Sequence, residues 1–149
     1  MSEHILKGHN KTVLLYHLVC PAKYRRKVFS EGVENSLKEI CVGIDERYEI
    51  HFLEIGTDED HVHFLLQSVP VMSPEEIVRI TKSITAKEIF KRHPEVKRYL
   101  WGGHFWTSGY YMNTVGASGN EKIIKEYVAK QGGKYRQIYR GQLELFGQT

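Results

Sequence analysis

The segment Asp60-His61-Val62-His63-Phe64-Leu65-Leu66 predicts a β-strand, because it is rich in strand-forming residues and has turn-forming residues on both sides. Side chains alternate along a strand, so His61 and His63 project from one face and Val62 and Phe64 from the other. Two imidazoles at this spacing can share one divalent metal ion. The alternative is a pair of half-buried or exposed histidines, and the strand alone does not decide between the two interpretations.

Further strands and helices are predicted on both sides of this segment. Residues 12–19, 48–55 and 109–115 favour strands, whereas residues 31–46 and 74–93 have helical periodicity. The order β-α-β-β-α-β is that of an α+β, ferredoxin-like (RRM-like) fold, in which an antiparallel sheet carries two helices on one face. Strict alternation in the second strand predicts that Ile50, Phe52 and Glu54 lie on one face of the sheet. It places His51, Leu53 and Ile55 on the other face.

The C-terminal part of the chain predicts one more helix. Glycines and a serine at residues 116–119 resemble a hinge, Asn120 is a plausible N-cap, and helical periodicity ends before two glycines at residues 132–133. We therefore expect residues 1–149 to form a single domain, with a hinged helix at residues 117–131 and a polar, basic tail at residues 134–149.

The composition is that of a globular protein, with 41% hydrophobic and 26% charged residues. No apolar run approaches the length of a membrane span, and the N-terminus lacks a signal-peptide pattern, so a cytoplasmic location is expected. Cys20 and Cys41 lack metal-ligand spacing and are expected to be reduced, partly buried thiols.

Charge is distributed unevenly, although the net charge is only +3. Residues 31–60 hold ten acidic and two basic residues, whereas residues 79–98 hold seven basic and two acidic ones. Basic patches of this kind suit a polyanion, and ordinary solvated helix faces are the alternative. The candidate nucleic-acid contacts are Lys23, Tyr24, Arg25, Arg26, Arg79, Lys82, Lys87 and Lys130.

The predicted final helix places Tyr127 and Gln131 one turn apart on the same face. A tyrosine can act as a nucleophile, and a glutamine carbonyl can ligate a hard metal ion. On the helix alone, a packing tyrosine and a solvated glutamine are the more common explanation. Together with His61 and His63, however, they form a coherent site, because two imidazoles and one amide oxygen leave positions on a metal for phosphate oxygens and water.

Four blocks of sequence resemble one known family when they are taken in order. They are the opening strand and basic turn at residues 16–26, the motif His61-Val62-His63, the aromatic segment at residues 100–116 and the helix at residues 127–131. The chain resembles the single-tyrosine HUH transposases (TnpA) of minimal insertion sequences with hairpin ends, to which the REP-associated tyrosine transposases are closely related. HUH denotes histidine, hydrophobic residue, histidine.

The resemblance implies a metal-dependent endonuclease and strand transferase that acts on single-stranded DNA. His61, His63 and Gln131 would bind Mg²⁺ or Mn²⁺, and Tyr127 would form a 5′-phosphotyrosine intermediate. The family further implies a homodimer with active sites shared between subunits, recognition of subterminal DNA hairpins, and association with the nucleoid when bound to DNA. The alternatives are a noncatalytic ferredoxin-like nucleic-acid-binding module and a domesticated HUH nickase.

Two further expectations concern residues outside this catalytic set. Gln142, Leu143, Leu145 and Phe146 lie in a segment that resembles the short motif binding the bacterial sliding clamp, although packing on the domain itself is the more common outcome. His17 could pack in the core or lie beside a metal ligand, and core packing is the preferred interpretation. A carboxylate could orient a ligating imidazole, and the sequence does not select between the two candidates, which are Asp60 and Glu54.

Overall fold

The computed structural model describes residues 14–101, 103–115 and 135–141. The strands are β1 (Leu14–Pro21), β2 (Ile50–Thr57), β3 (His61–Ser68), β4 (Tyr111–Val115) and β5 (Arg136–Arg140). The α-helices are α1 (Glu31–Arg47), α2 (Pro74–Arg92) and α3 (Pro94–Tyr99), and a single 3₁₀ turn spans Lys23–Arg25.

The strands form one antiparallel sheet in the order β4-β1-β3-β2-β5. The part of this order formed by β4-β1-β3-β2 is the ferredoxin-like order, so the predicted fold class is confirmed. The central strands β1 and β3 place Pro21 opposite His61 and Val19 opposite His63. This register puts both histidines at the end of the sheet where the 3₁₀ turn leaves β1.

Both long helices begin where their capping residues predict. The Ser30 side chain accepts a hydrogen bond from the Val33 backbone N–H, and Ser73 accepts one from Glu76. The cluster of buried hydrophobic residues includes both helices and one face of the sheet, with Leu18 and Phe64 among its members. The opposite face of the sheet carries the two histidines.

A β-bulge in β2 makes one prediction wrong. The pairing with β3 shifts between Phe52 and Glu54, so Ile55 rather than Glu54 follows Phe52 on the face of the buried cluster. Strict alternation had placed Glu54 there. The bulge turns this buried carboxylate toward the histidine face instead.

Part of the predicted basic tail is a strand. Arg136–Arg140 pairs with β2 as the edge strand β5, which the polar composition of the tail did not predict. The predicted helix at residues 117–131, its glycine-rich link and the clamp-like motif, with Gln142, Leu143, Leu145 and Phe146, lie outside the described residues.

The predicted free thiols are confirmed for Cys20 and Cys41, which are fully rather than partly buried. Burial raises the pKa of the Cys20 thiol to about 12, which leaves it an unreactive core residue. In the described part of the chain no helix is both long and apolar enough to span a bilayer.

Candidate active site

The two histidines of β3 are half-buried and face each other across the sheet surface. The Nε2 atoms of His61 and His63 are 3.0 Å apart, and the ring centroids are 4.8 Å apart. The alternation predicted for this strand is therefore confirmed. Two nitrogens in adjacent positions of an octahedral metal site, each about 2.1 Å from the ion, would also be about 3.0 Å apart.

A carboxylate fixes the ring of His61. Its Nδ1 atom lies 2.8 Å from Asp60 Oδ1, and the guanidinium of Arg25 donates from Nε to Asp60 Oδ2 at 2.9 Å. Burial raises the pKa of Asp60, but hydrogen bonds from His61 and Arg25 outweigh it and leave the pKa below its ordinary value. An ionised Asp60 accepts the proton of Nδ1, so the lone pair of His61 Nε2 points away from the carboxylate.

His17 has the corresponding position beside His63, so the structure favours the less preferred of the two interpretations, contact with a predicted metal ligand, over simple core packing. His17 Nε2 is 3.2 Å from His63 Nδ1, and the two rings are stacked with their centroids 5.4 Å apart. Burial lowers the pKa of His17, so its neutral ring can accept the proton of His63 Nδ1. Register decides this contact, because β1 and β3 place both side chains on the same face of the sheet.

His63 is held in its neutral form at neutral pH. Burial lowers its pKa to about 4, and the neighbouring His61 and His17 lower it in the same direction. A neutral imidazole is the form that ligates a metal ion or accepts a proton. His63 is therefore ready to act as a lone-pair donor.

We expect the metal-free protein to lose stability as the pH falls from about 6.5 toward 4. The unfolded chain binds a proton on His63 at the ordinary pKa of 6.5, whereas the folded protein binds it only near pH 4. Protonation therefore favours unfolding across this window. Urea unfolding in EDTA between pH 7 and pH 4 measures the slope, and His63→Gln should make it shallower. Equal slopes in the two proteins would contradict the assignment.

Of the two candidate carboxylates, Asp60 is the one that orients His61, because Glu54 is bonded to other side chains. Burial raises the pKa of Glu54, while the Tyr135 hydroxyl and the Gln137 amide donate to its two oxygens, the hydroxyl at 2.8 Å. The Tyr135 ring also meets His63 edge-on, with centroids 5.5 Å apart. Sequence reasoning missed Tyr135, which lies in the presumed tail.

Gly56 explains how the Tyr135 ring comes so close to the sheet. A Cβ at Gly56 would lie 1.8 Å from the Tyr135 ring, so any side chain there would displace it. In the sequence, the feature that could have indicated this contact is Gly56 itself, because a lone glycine in a strand often marks the close approach of another group.

The predicted ligand set is described only in part. Gln131, Tyr127 and Lys130 lie outside the described residues. Within residues 14–101, 103–115 and 135–141, no cluster of three or more His, Cys, Asp or Glu side chains could hold a metal ion. The two histidines have matched geometry and would need a further donor, such as an amide oxygen.

The predicted nucleic-acid contacts divide into two groups. Lys23, Arg79, Lys82 and Lys87 line one groove of about 770 Å³ between α2 and residues 103–110. Tyr24, Arg25 and Arg26 lie on the turn after β1, outside the lining of this groove.

Two of these cations already have partners within the domain. The Lys82 ammonium donates to the backbone carbonyl of Thr107 at 2.7 Å, and the Arg25 guanidinium is paired with Asp60. Lys82 therefore holds the groove wall in place, and Arg25 supports the histidine site. The remaining predicted cations are the better candidates for contacts with phosphates.

Comparisons with known proteins found a matching family and similar proteins. The model of the family described as "Transposase IS200 like" matches residues 10–131. The ISDra2 transposase TnpA of Deinococcus radiodurans is 32% identical over 121 residues, which cover 81% of this chain and 86% of that protein. The transposase for insertion sequence element IS200 of Salmonella typhimurium is 28% identical over 124 residues, covering 83% of this chain and 80% of that protein.

The fold is also similar to a solved structure. A crystal structure of a Deinococcus radiodurans protein assigned as a transposase superimposes with a TM-score of 0.62 at 27% sequence identity. The superposition covers 85% of this chain and 97% of the other.

Proposed function

The chain belongs to the family of IS200-like transposases and is a DNA transposase, and we propose that it cuts and rejoins single-stranded DNA through a covalent 5′-phosphotyrosine on Tyr127. The observation that carries the proposal is the matched pair formed by His61 and His63. Their Nε2 atoms are 3.0 Å apart, and the other ring nitrogen of each is occupied by Asp60 or His17.

We assign Mg²⁺ or Mn²⁺ to this pair, with Gln131 as the third protein ligand. Gln131 precedes Tyr135 by four residues, which limits their Cα separation to about 14 Å. Since the Tyr135 ring contacts His63, this tether is short enough for Gln131 to reach the histidines. When bound, the ion would neutralise charge on the scissile phosphate and favour departure of the 3′-oxygen.

The proposed step conserves the energy of the bond that it breaks. The Tyr127 oxygen attacks the phosphorus, a P–O bond to tyrosine forms, and the bond to the 3′-oxygen breaks to release a 3′-hydroxyl. A phenol has an ordinary pKa of about 10, so a nearby cation is needed to favour the phenolate, and Lys125 and Lys130 are the candidates. A 3′-hydroxyl of DNA can later attack the phosphotyrosine and rejoin strands without ATP.

The quaternary structure and the form of the DNA follow from the family resemblance. We propose a homodimer whose active sites are shared between subunits and which recognises subterminal hairpins. Arg79 and Lys87 are our candidates for the phosphate contacts, because both line the groove beside α2 and neither side chain forms a hydrogen bond or ion pair within residues 14–101, 103–115 and 135–141. Their contribution should weaken as salt increases.

A strand-polarity assay tests the central proposal. The full chain is mixed with Mg²⁺ and hairpin-bearing single strands from the DNA that flanks its gene, labelled at one end or the other. We expect a denaturant-resistant adduct that retains the 3′ label, while the 5′ label is released on a fragment with a free 3′-hydroxyl. An adduct retaining the 5′ label, or no adduct on any strand, would disprove the proposal.

Removing the charge of Asp60 should weaken metal binding. Asp60→Asn no longer accepts the His61 proton as a charged group, so the ring loses its fixed tautomer, and we expect the affinity for Mn²⁺ to fall by about 10- to 100-fold. Calorimetric titration with Mn²⁺ measures this. Glu59→Gln is the matched control, because the neighbouring Glu59 pairs with Lys27 instead. Equal affinities in the two variants would remove the orienting role of Asp60.

A further inference from the structure

Three exposed aromatic rings surround one arginine beside the turn that follows β1. The guanidinium of Arg26 lies 5.7 Å from the ring centroid of Tyr24, 5.1 Å from that of Tyr99 and 5.6 Å from that of Trp101. Lys23 adds a second cation, 5.4 Å from the centroid of Tyr24. We call Tyr24, Arg26, Tyr99 and Trp101 the aromatic–arginine cluster.

Packing within the domain does not account for the exposure of these rings. Trp101 is 78% exposed and Tyr24 is 57% exposed, so each leaves most of its apolar surface in water. The second tryptophan of the chain, Trp106, shows the contrast, because it is 5% exposed and its indole N–H donates to Thr85. An exposed tryptophan among cations is typical of a binding surface.

The backbone under the cluster is strained. Among the residues that the structure describes, the non-glycine residues with positive φ are Tyr24 at 61°, Arg25 at 52° and Trp101 at 58°. Residues other than glycine, asparagine and aspartate rarely adopt this backbone conformation. Such strain concentrates at functional sites, where the surrounding structure holds an unfavourable backbone in order to present a side chain.

The cluster is connected to the histidine pair through one turn. Pro21 pairs with His61, and Tyr24 follows Pro21 by three residues. The Cα atoms of Pro21 and Tyr24 are therefore at most about 11 Å apart. Arg25 lies between the two cluster residues of the turn and pairs with Asp60, which holds His61. A ligand on the cluster therefore lies next to the candidate active site.

We propose that the aromatic–arginine cluster is a stacking site for an unpaired base of single-stranded DNA close to the scissile phosphate. The inference rests on the proposed function for the identity of the nucleic acid. Stacking on Trp101 or Tyr24 needs a base whose face is free, while Lys23 and Arg26 supply positive charge for the adjoining phosphates. A base paired within a duplex has no free face, so the site selects unpaired nucleotides at the cutting position.

Asparagine variants test the site without changing its backbone. Trp101→Asn and Tyr24→Asn remove the rings and keep a residue that tolerates positive φ. Val71→Asn is the matched control, because Val71 is 76% exposed and follows the opposite end of β3. The probes are a single strand of about twelve thymidines and a strand of equal length whose nucleotides are all abasic.

We expect the thymidine strand to quench the fluorescence of Trp101 and the abasic strand to leave it unchanged. The dissociation constant for the thymidine strand should rise about tenfold in each cluster variant, with no change for the abasic strand or in Val71→Asn. Unchanged affinity for thymidines, or an equal loss on both strands, would overturn the proposal. So would a dimer that dissociates in Trp101→Asn while DNA affinity is kept, since the cluster would then be a subunit interface.

The same measurements separate this proposal from the catalytic one. They record binding alone and use no metal ion, so they do not depend on cleavage. A wild-type protein that forms no covalent adduct, yet shows base-dependent quenching, would retain the stacking site and lose the proposed mechanism. A protein that forms the adduct, yet whose Trp101→Asn and Tyr24→Asn variants bind the thymidine strand as tightly as the wild type, would retain the mechanism and lose the stacking site.

Discussion

Tyr127→Phe should abolish the covalent protein–DNA adduct and lower single-strand cleavage by roughly four orders of magnitude or more. Phenylalanine keeps the aromatic ring but lacks the oxygen that would bond to phosphorus. Water does not replace it efficiently, because the phosphotyrosine, rather than a hydrolysed end, is the proposed product. Denaturing gels of labelled hairpin DNA measure both quantities, and binding of the same DNA should be unchanged.

Tyr135→Phe is the decisive control for this result. Tyr135 is the tyrosine that the structure brings into ring contact with His63, and its hydroxyl donates to the buried Glu54. It is therefore the natural rival to Tyr127 as the nucleophile. We expect Tyr135→Phe to keep forming the adduct, since the Tyr135 hydroxyl is already bonded to the buried carboxylate of Glu54 and is not the proposed nucleophile. An adduct that survives Tyr127→Phe and disappears in Tyr135→Phe would exchange the two roles.

His63→Ala should lower Mg²⁺-dependent cleavage by about a thousandfold or more and leave hairpin binding in EDTA largely intact. It removes one of two matched nitrogen donors, and a ligand pair reduced to His61 alone cannot hold an ion in a fixed position. The empty space left by the imidazole also releases His17 from its stacking contact. Cleavage rates against Mg²⁺ and Mn²⁺ concentration, together with gel-shift assays, measure the two effects separately.

A second variant separates a ligand role from a structural one. His63→Gln keeps much of the side-chain volume and a polar group, so it should fold like the wild type and still lose most of the cleavage. His93→Ala is the control for loss of an imidazole elsewhere, because His93 follows the last residue of α2 and its Nε2 atom lies 2.8 Å from the Ser36 hydroxyl, outside the lining of the groove. Wild-type cleavage by His63→Gln, or unfolding of both His63 variants, would show that His63 serves packing instead.

The helix predictions succeeded because their signals are local. Ser30 and Ser73 accept the capping hydrogen bonds that the sequence predicts, and α2 ends before Pro94. The strand predictions failed where a local pattern competes with pairing. A bulge at Leu53 reverses the face of Glu54, and the polar residues of β5 are ordered by the edge of β2 rather than by their own pattern.

The sequence by itself determined the ferredoxin-like order of elements and placed His61 and His63 on one face, since both depend on periodicity along the chain. It also carried the resemblance that joins these histidines to Tyr127 and Gln131. Only the tertiary structure decided which side chains contact the Nδ1 atoms of these histidines. Asp60 supports His61, and His17 supports His63, because strand register brings residue 17 beside residue 63. Hydrogen bonds between distant segments depend on strand register, and the periodicity of a single segment does not predict that register.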